Sequence, residues 1–185
     1  MSKVKLNLIA AACENMGIGS NGSLPWRLKK EMEYFTTMTT KVKDASKINA
    51  VIMGRKTWDC IPNKYRPLEN RLNIVLTRHV DVIKDKVPKD VVVVSGLDEA
   101  ISYIIDRNDV ESTWVIGGSS VYQASMDHPN CGKIYLTEIQ KTFDCDTFFP
   151  NINRQRFHLI DEDDIPRDIQ TEGDISYYFR VYKRL

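Results

Sequence analysis

Thr113-Trp114-Val115-Ile116-Gly117-Gly118-Ser119-Ser120-Val121-Tyr122 reads as a short apolar strand that meets two glycines and passes into a helix. Side chains are absent where the strand ends. A backbone so bare lets a flat or phosphorylated ligand approach the main chain at the edge of a sheet. The stretch therefore predicts an α/β fold and points to a nucleotide cofactor.

Outward from it, short β-branched runs alternate with helical stretches. Strands are expected at 6–13, 50–53, 72–77, 91–95, 113–116 and 133–137, with two more inside 157–161 and 176–183. Helices are expected at 28–37, 97–105 and 119–126. Several strands are apolar throughout, which suits a mainly parallel sheet covered on both faces. The polar segment 165–173 contains Pro166 and Gly173, so it reads as a loop joining an antiparallel edge pair. The charged stretches 41–47 and 81–90 read as solvated connections.

The 185 residues predict one domain, 1–185, large enough for a core without staples. A net charge of +1 supplies no general field toward nucleic acid or membrane, so any anion site depends on local placement. Cys13, Cys60, Cys131 and Cys145 are scattered, with no CxxC pair, and read as free thiols of a reducing, cytoplasmic compartment. The run Leu6-Asn7-Leu8-Ile9-Ala10-Ala11-Ala12 is too short to span a bilayer and reads as a buried strand.

Three constellations bear chemistry. Gly17-Ile18-Gly19-Ser20-Asn21-Gly22-Ser23-Leu24-Pro25-Trp26 packs three glycines and a proline into a loop that is either a long turn or a lid. Trp26, just beyond, suits the wall of a flat-ligand cleft. On the following helix Glu31, Tyr34, Phe35 and Met38 share one face. Spacing alone makes Glu31 an ordinary solvated carboxylate. If buried, it requires a cationic or multi-donor ligand, or else takes up a proton. Gly54-Arg55-Lys56-Thr57 and Leu76-Thr77-Arg78, at the ends of two successive strands, could seat separated phosphates such as those of NADPH; each alone is ordinary exposed charge. Arg71 either grips a carboxylate or pairs with Glu69. No G-x-S-x-G, HExxH or Walker A pattern occurs, and no metal site is expected.

In order and spacing these pieces resemble the dihydrofolate reductases, most nearly the animal enzymes, over nearly the whole chain. Met16-Gly17-Ile18-Gly19, Leu24-Pro25-Trp26, Glu31 with Phe35, and Val51-Ile52-Met53-Gly54-Arg55-Lys56-Thr57-Trp58 carry the resemblance in the first third. Ile61-Pro62, Arg66-Pro67-Leu68, Arg71-Leu72-Asn73, Thr77-Arg78, the 116–122 stretch, Thr137 and Asp146-Thr147-Phe148-Phe149-Pro150 complete it.

The resemblance implies a three-layer α/β fold: a central eight-stranded, mostly parallel sheet with an antiparallel C-terminal strand. It also implies reduction of 7,8-dihydrofolate to tetrahydrofolate by NADPH, in support of one-carbon metabolism and thymidylate synthesis. Hydride passes to pterin C6 and a proton to N5, with water the favoured donor. Glu31 would bind the 2-amino group and ring nitrogen of the pterin, Thr137 would orient Glu31, and Trp26 would hold an ordered water. Leu24 and Tyr122 would lie beside the reacting rings. Ile9, Ala11, Met32, Phe35, Ile61, Pro62, Tyr65, Leu68 and Ile116 would line the substrate site, and Arg71 would take the α-carboxylate of the glutamate tail.

Ala11, Ile18, Gly19, Gly22, Ser23, Gly54, Arg55, Lys56, Thr57, Leu76, Thr77, Arg78, Gly117, Gly118, Ser119, Ser120, Val121, Tyr122 and Thr147 would face the cofactor, with a cis bond between the two glycines. Antifolates and folate itself would share the substrate site. The expected form is a monomer with no nucleic-acid or membrane partner. Met32 stands where vertebrate relatives usually carry Phe, Tyr65 replaces a smaller polar residue, and no arginine falls near Ser95-Gly96 at the adenosine end. A pyrimidine reductase of riboflavin synthesis would not need Glu31, Phe35 and Arg71 together. A silent NADPH-binding module would be expected to lose Glu31 or the glycine pair.

Overall fold

Strand β1 (Leu6–Ala12) organises the molecule by simple alternation. Leu6, Leu8 and Ala12 point into one apolar cluster, while Ile9 points into the other, on the opposite face of the sheet. The computed structural model describes residues 4–185.

The parallel strands β3 (Ile48–Gly54), β4 (Arg71–Leu76) and β6 (Val110–Val115) divide their side chains in the same way, as does β7 (Cys131–Ile139). Ala50 and Ile52 face one cluster, Val51 and Met53 the other, and for that reason β3 is apolar in succession. Helices α4 (Leu97–Arg107) and α5 (Ser119–Asp127) cover the first face. Helix α1 (Lys29–Thr40) and the short α2 (Arg55–Cys60) cover the second, which contains Leu28, Trp58 and Trp114. The result is a three-layer α/β fold.

The sheet runs β10-β11-β7-β1-β6-β3-β4-β5, where β5 is Val92–Val94, β10 is Gln170–Glu172 and β11 is Ile175–Arg184. It is eight positions wide. Strand β9 (Phe157–Ile160) pairs with the far half of β11, along the same edge as β10. Pairings from β7 through β5 are parallel; those of β11 are antiparallel.

Several expectations need correction. The segment 165–173 is not a plain loop, because Gln170–Glu172 pairs with β11 through a turn at Gly173, whose φ is +62°. The stretch 81–90 contains a helical turn, α3 (Val80–Ile83), and a 3-10 turn at Lys84–Lys86. Ile83, buried among charged neighbours, anchors it. Helix α2 falls outside the expected helix spans, and the two-stranded ribbon of β2 (Gly17–Gly19) and β8 (Thr147–Phe148) was not anticipated. Short elements carry too few residues to show a period.

Candidate active site

The parallel strands end on a common edge, where ligands of open α/β sheets bind. At its centre β6 runs out at Val115 and Ile116 leads into Gly117-Gly118, joined by a cis peptide bond. Gly117 has φ +131°, a conformation that favours glycine. A Cβ there would lie 3.3 Å from Thr57 Oγ1, and one at Gly118 would lie 3.6 Å from the same atom. The Gly54 amide donates to the Gly117 carbonyl at 2.9 Å, so the glycine pair and the β3–α2 junction form one surface. Val121 and Tyr122 follow on α5, with Ser120 exposed, and Ser119 Oγ donates to the Phe148 carbonyl at 2.5 Å.

Strands β3 and β4 pair with Gly54 opposite Leu76, which sets the two basic-plus-hydroxyl segments side by side. Thr77 is buried and its Oγ1 accepts the His79 amide at 3.1 Å. Lys56 and Arg78 are exposed, and among the described residues neither has an ion-pair partner. Arg55 instead pairs along its own helix with Asp59 at 3.5 Å.

On the other side of β1 lies Glu31, in the first turn of α1 and only 8% exposed. Its burial excludes the solvated-carboxylate reading. Thr137 Oγ1, opposite Ala11 in the β1–β7 register, donates to Glu31 Oε2 at 3.0 Å. Among the described residues no cation offsets the charge. Burial pushes the Glu31 carboxyl up to about 7, against a smaller opposing pull from the Thr137 hydrogen bond. Burial also pushes the Tyr122 phenol up, and the Glu31 charge adds to it. The Tyr122 hydroxyl donates to the Ile9 carbonyl at 2.8 Å.

Trp26 is buried against Phe143, ring centroids 5.5 Å apart, and its indole N–H has no hydrogen-bond acceptor among the described residues. Ile9, Ala11, Phe35, Ile61, Leu68 and Ile116 pack in the same apolar cluster as Trp26. Met32 is exposed on the outer side of α1, where Arg27, Lys29, Met32, Glu33, Thr36 and Thr37 border an open depression of about 590 Å³. Pro62 and Tyr65 are exposed beyond α2. Arg71 is half-buried; its Nε donates to the Glu69 carbonyl at 2.9 Å and its Nη1 to Thr39 Oγ1 at 3.0 Å. It therefore contacts the Glu69 backbone and makes no ion pair with that side chain.

The Gly-rich segment crosses the cleft. Gly17 and Gly19 pair with Phe148 and Thr147, and Ile18 packs against the core from between them. Ser20 and Ser23 bridge across a turn at Asn21 and Gly22, both with positive φ. A Cβ on Gly22 would sit 3.2 Å from Cys60 Sγ, so the tip of the segment reaches α2. Leu24, expected beside the reacting rings, is 50% exposed on this segment. Asp146, to which sequence reading gives no role, accepts the Asn21 amide at 2.9 Å. The unpartnered hydroxyls of Tyr34 and Tyr177 were also unforeseen; Tyr34 stacks on Phe179 at 4.0 Å. Only its place on the Glu31 face of α1 could have drawn notice.

A carboxylate buried without a countercharge among the described residues lies beside bare backbone at the ends of parallel strands in an α/β protein, a place suited to a donor-rich heterocycle next to a second flat ligand. Comparison with known proteins names the group more closely. The profile of the dihydrofolate reductase family matches residues 5–184. The chain is 74% identical to dihydrofolate reductase of Heliothis virescens over the full length of both proteins. It is 43% identical to that of Bos taurus, over 97% of each. The solved structure of Schistosoma mansoni dihydrofolate reductase superposes with a TM-score of 0.85 at 38% identity, covering 98% of this chain and 99% of that one. The chain belongs to the dihydrofolate reductase family.

Proposed function

We propose that the protein reduces 7,8-dihydrofolate to 5,6,7,8-tetrahydrofolate with NADPH. The observation that carries this reading is Glu31: buried, hydrogen-bonded among the described residues to Thr137 alone, and raised to about 7 by its burial. The 2-amino group and adjacent ring nitrogen of a pterin offer two donors in the spacing of one carboxylate. Binding them returns to Glu31 the stabilisation it loses on burial, and in turn makes the bound ring more basic.

The glycine edge suits a pyridine nucleotide, since Gly117, with φ +131° and room for a Cβ only at 3.3 Å from Thr57 Oγ1, keeps the main chain bare for a flat ligand. When bound, its reduced nicotinamide supplies the hydride for pterin C6. Ala11, Ile116 and Tyr122 would border the two rings. Lys56 and Arg78, without ion-pair partners among the described residues, would hold phosphate charge, with Thr57 and Thr77 as hydroxyl partners. Ile9, Phe35 and Ile116 exclude water and strengthen the field of the single carboxylate. Arg71, with part of its guanidinium fork uncommitted, takes the α-carboxylate of the glutamate tail.

Glu31 polarises the ring while water delivers the proton to N5. The indole N–H of Trp26, buried and without an acceptor, is suited to hold one such water. The enzyme works as a monomer in the cytoplasm, and antifolates with a 2,4-diamino edge compete for Glu31. The test is absorbance at 340 nm with NADPH, with and without dihydrofolate. A decrease that requires dihydrofolate is expected; an unchanged trace under both conditions rejects the reading.

A further inference from the structure

Cys13 and Cys145 are 132 residues apart in sequence, yet their sulfurs lie 3.9 Å apart. Cys13 closes β1 and is buried; Cys145 is half-buried in the segment leading to β8. The pair sits at the root of the Gly-rich segment that spans the cleft. Gly17 leaves room for it, because a Cβ there would fall 2.3 Å from Cys145 Sγ. Around the pair, the Cys13 amide donates to the Gly17 carbonyl at 3.0 Å, the Phe149 amide to Met16 at 2.8 Å and the Asp146 amide to Gly19 at 3.0 Å. Asn15 Nδ2 donates to the Phe143 carbonyl at 3.2 Å. The Asn15–Phe143 bond is exposed and can open singly. Nothing covalent holds the segment to its neighbour.

We propose that Cys13 and Cys145 are a redox-responsive thiol pair, which a hydroperoxide converts to an intrachain disulfide that clamps residues 14–23 to residues 143–149. The inference rests on the thiol geometry and is independent of the proposed reaction. Cys145, the more accessible sulfur, attacks the peroxide as thiolate. The O–O bond breaks, water or an alcohol leaves, and Cys145 becomes a sulfenic acid. Cys13 then attacks that sulfur. Its proton goes to the departing hydroxide, the S–O bond breaks, the S–S bond forms and water leaves. Two thiols lose two electrons and one peroxide gains them. Burial and the neighbouring Cys13 raise the Cys145 thiol above its ordinary value, so only a small thiolate fraction is available to attack at neutral pH and the oxidation is slow.

The test is peptide mapping and hydrogen-exchange mass spectrometry of the whole chain before and after hydrogen peroxide treatment. Expected are a crosslinked peptide joining Cys13 to Cys145, two hydrogens lighter than its parts, and exchange across residues 14–23 slowed by about tenfold or more. Dithiothreitol reverses both. Cys145→Ser shows neither change, and Cys13→Ser gives the same control from the other side should the first variant fold poorly. Both thiols remaining open to alkylation after oxidation overturns the proposal, as does a crosslink that leaves exchange unaltered. Neither readout requires activity, so failure here is separate from failure of the reductase reading.

Discussion

Replacing Glu31 with glutamine is expected to stabilise the ligand-free protein, and to do so only above mildly acidic pH. The carboxyl rises from 4.5 to about 7 because burial disfavours its charge. The folded chain thus holds the proton more tightly than the unfolded chain. Stability from this group is complete below pH 4.5 and is lost as the pH climbs to about 7. Carrying the carboxyl across that interval corresponds to ~3 kcal/mol. Glutamine keeps an oxygen for Thr137 but never ionises, so Glu31→Gln avoids the loss. Thermal unfolding without ligand should show the variant melting roughly 5–10 °C above the parent at pH 8 for a chain of this size. Near pH 4.5 the two should almost coincide. A stability difference that is the same at both pH values would refute the assignment of the penalty to this carboxylate.

The same substitution should lower turnover of dihydrofolate at neutral pH by roughly 100-fold or more while NADPH binding, followed by fluorescence titration, stays intact; rates near those of the parent would remove Glu31 from the mechanism. Arg71→Leu should raise the KM for dihydrofolate far more than for a pterin lacking the glutamate tail, and steady-state kinetics showing equal effects on both rejects the carboxylate role. Thr137→Val deletes the one hydrogen bond that pulls the Glu31 carboxyl down. Carbon-13 NMR titration should then place that carboxyl above its value in the parent, and a downward move contradicts the geometry.

How much of this was legible in the sequence depended on the length over which a pattern repeats. Strands such as Ile48–Gly54, buried on both faces, appear as apolar runs whatever surrounds them. Gly117-Gly118 could be read because the absence of side chains at a strand end has few other uses. The face shared by Glu31, Tyr34 and Phe35 was visible, but the burial of Glu31 was not. Burial depends on Thr137, 106 residues away, and on the sheet beneath α1. The approach of Cys13 to Cys145 left no local trace for the same reason. Segments of two to six residues, among them Thr147–Phe148, Gln170–Glu172 and Arg55–Cys60, form because larger elements offer them an edge or a face to cover. The cis bond at Arg66-Pro67 depends on its surroundings too, as an X-Pro pair alone reads the same in either isomer.

The shared margin of β11 has a consequence of its own. Strand β10 pairs only as far as Tyr177 and β9 begins at Val181, so the outer rim is broken between them. At the opposite rim β5 is three residues long. A foreign chain seeking to extend the sheet finds no continuous row of free amides and carbonyls on either flank. The same interruptions that give the protein its ragged borders protect it from fibrous self-association.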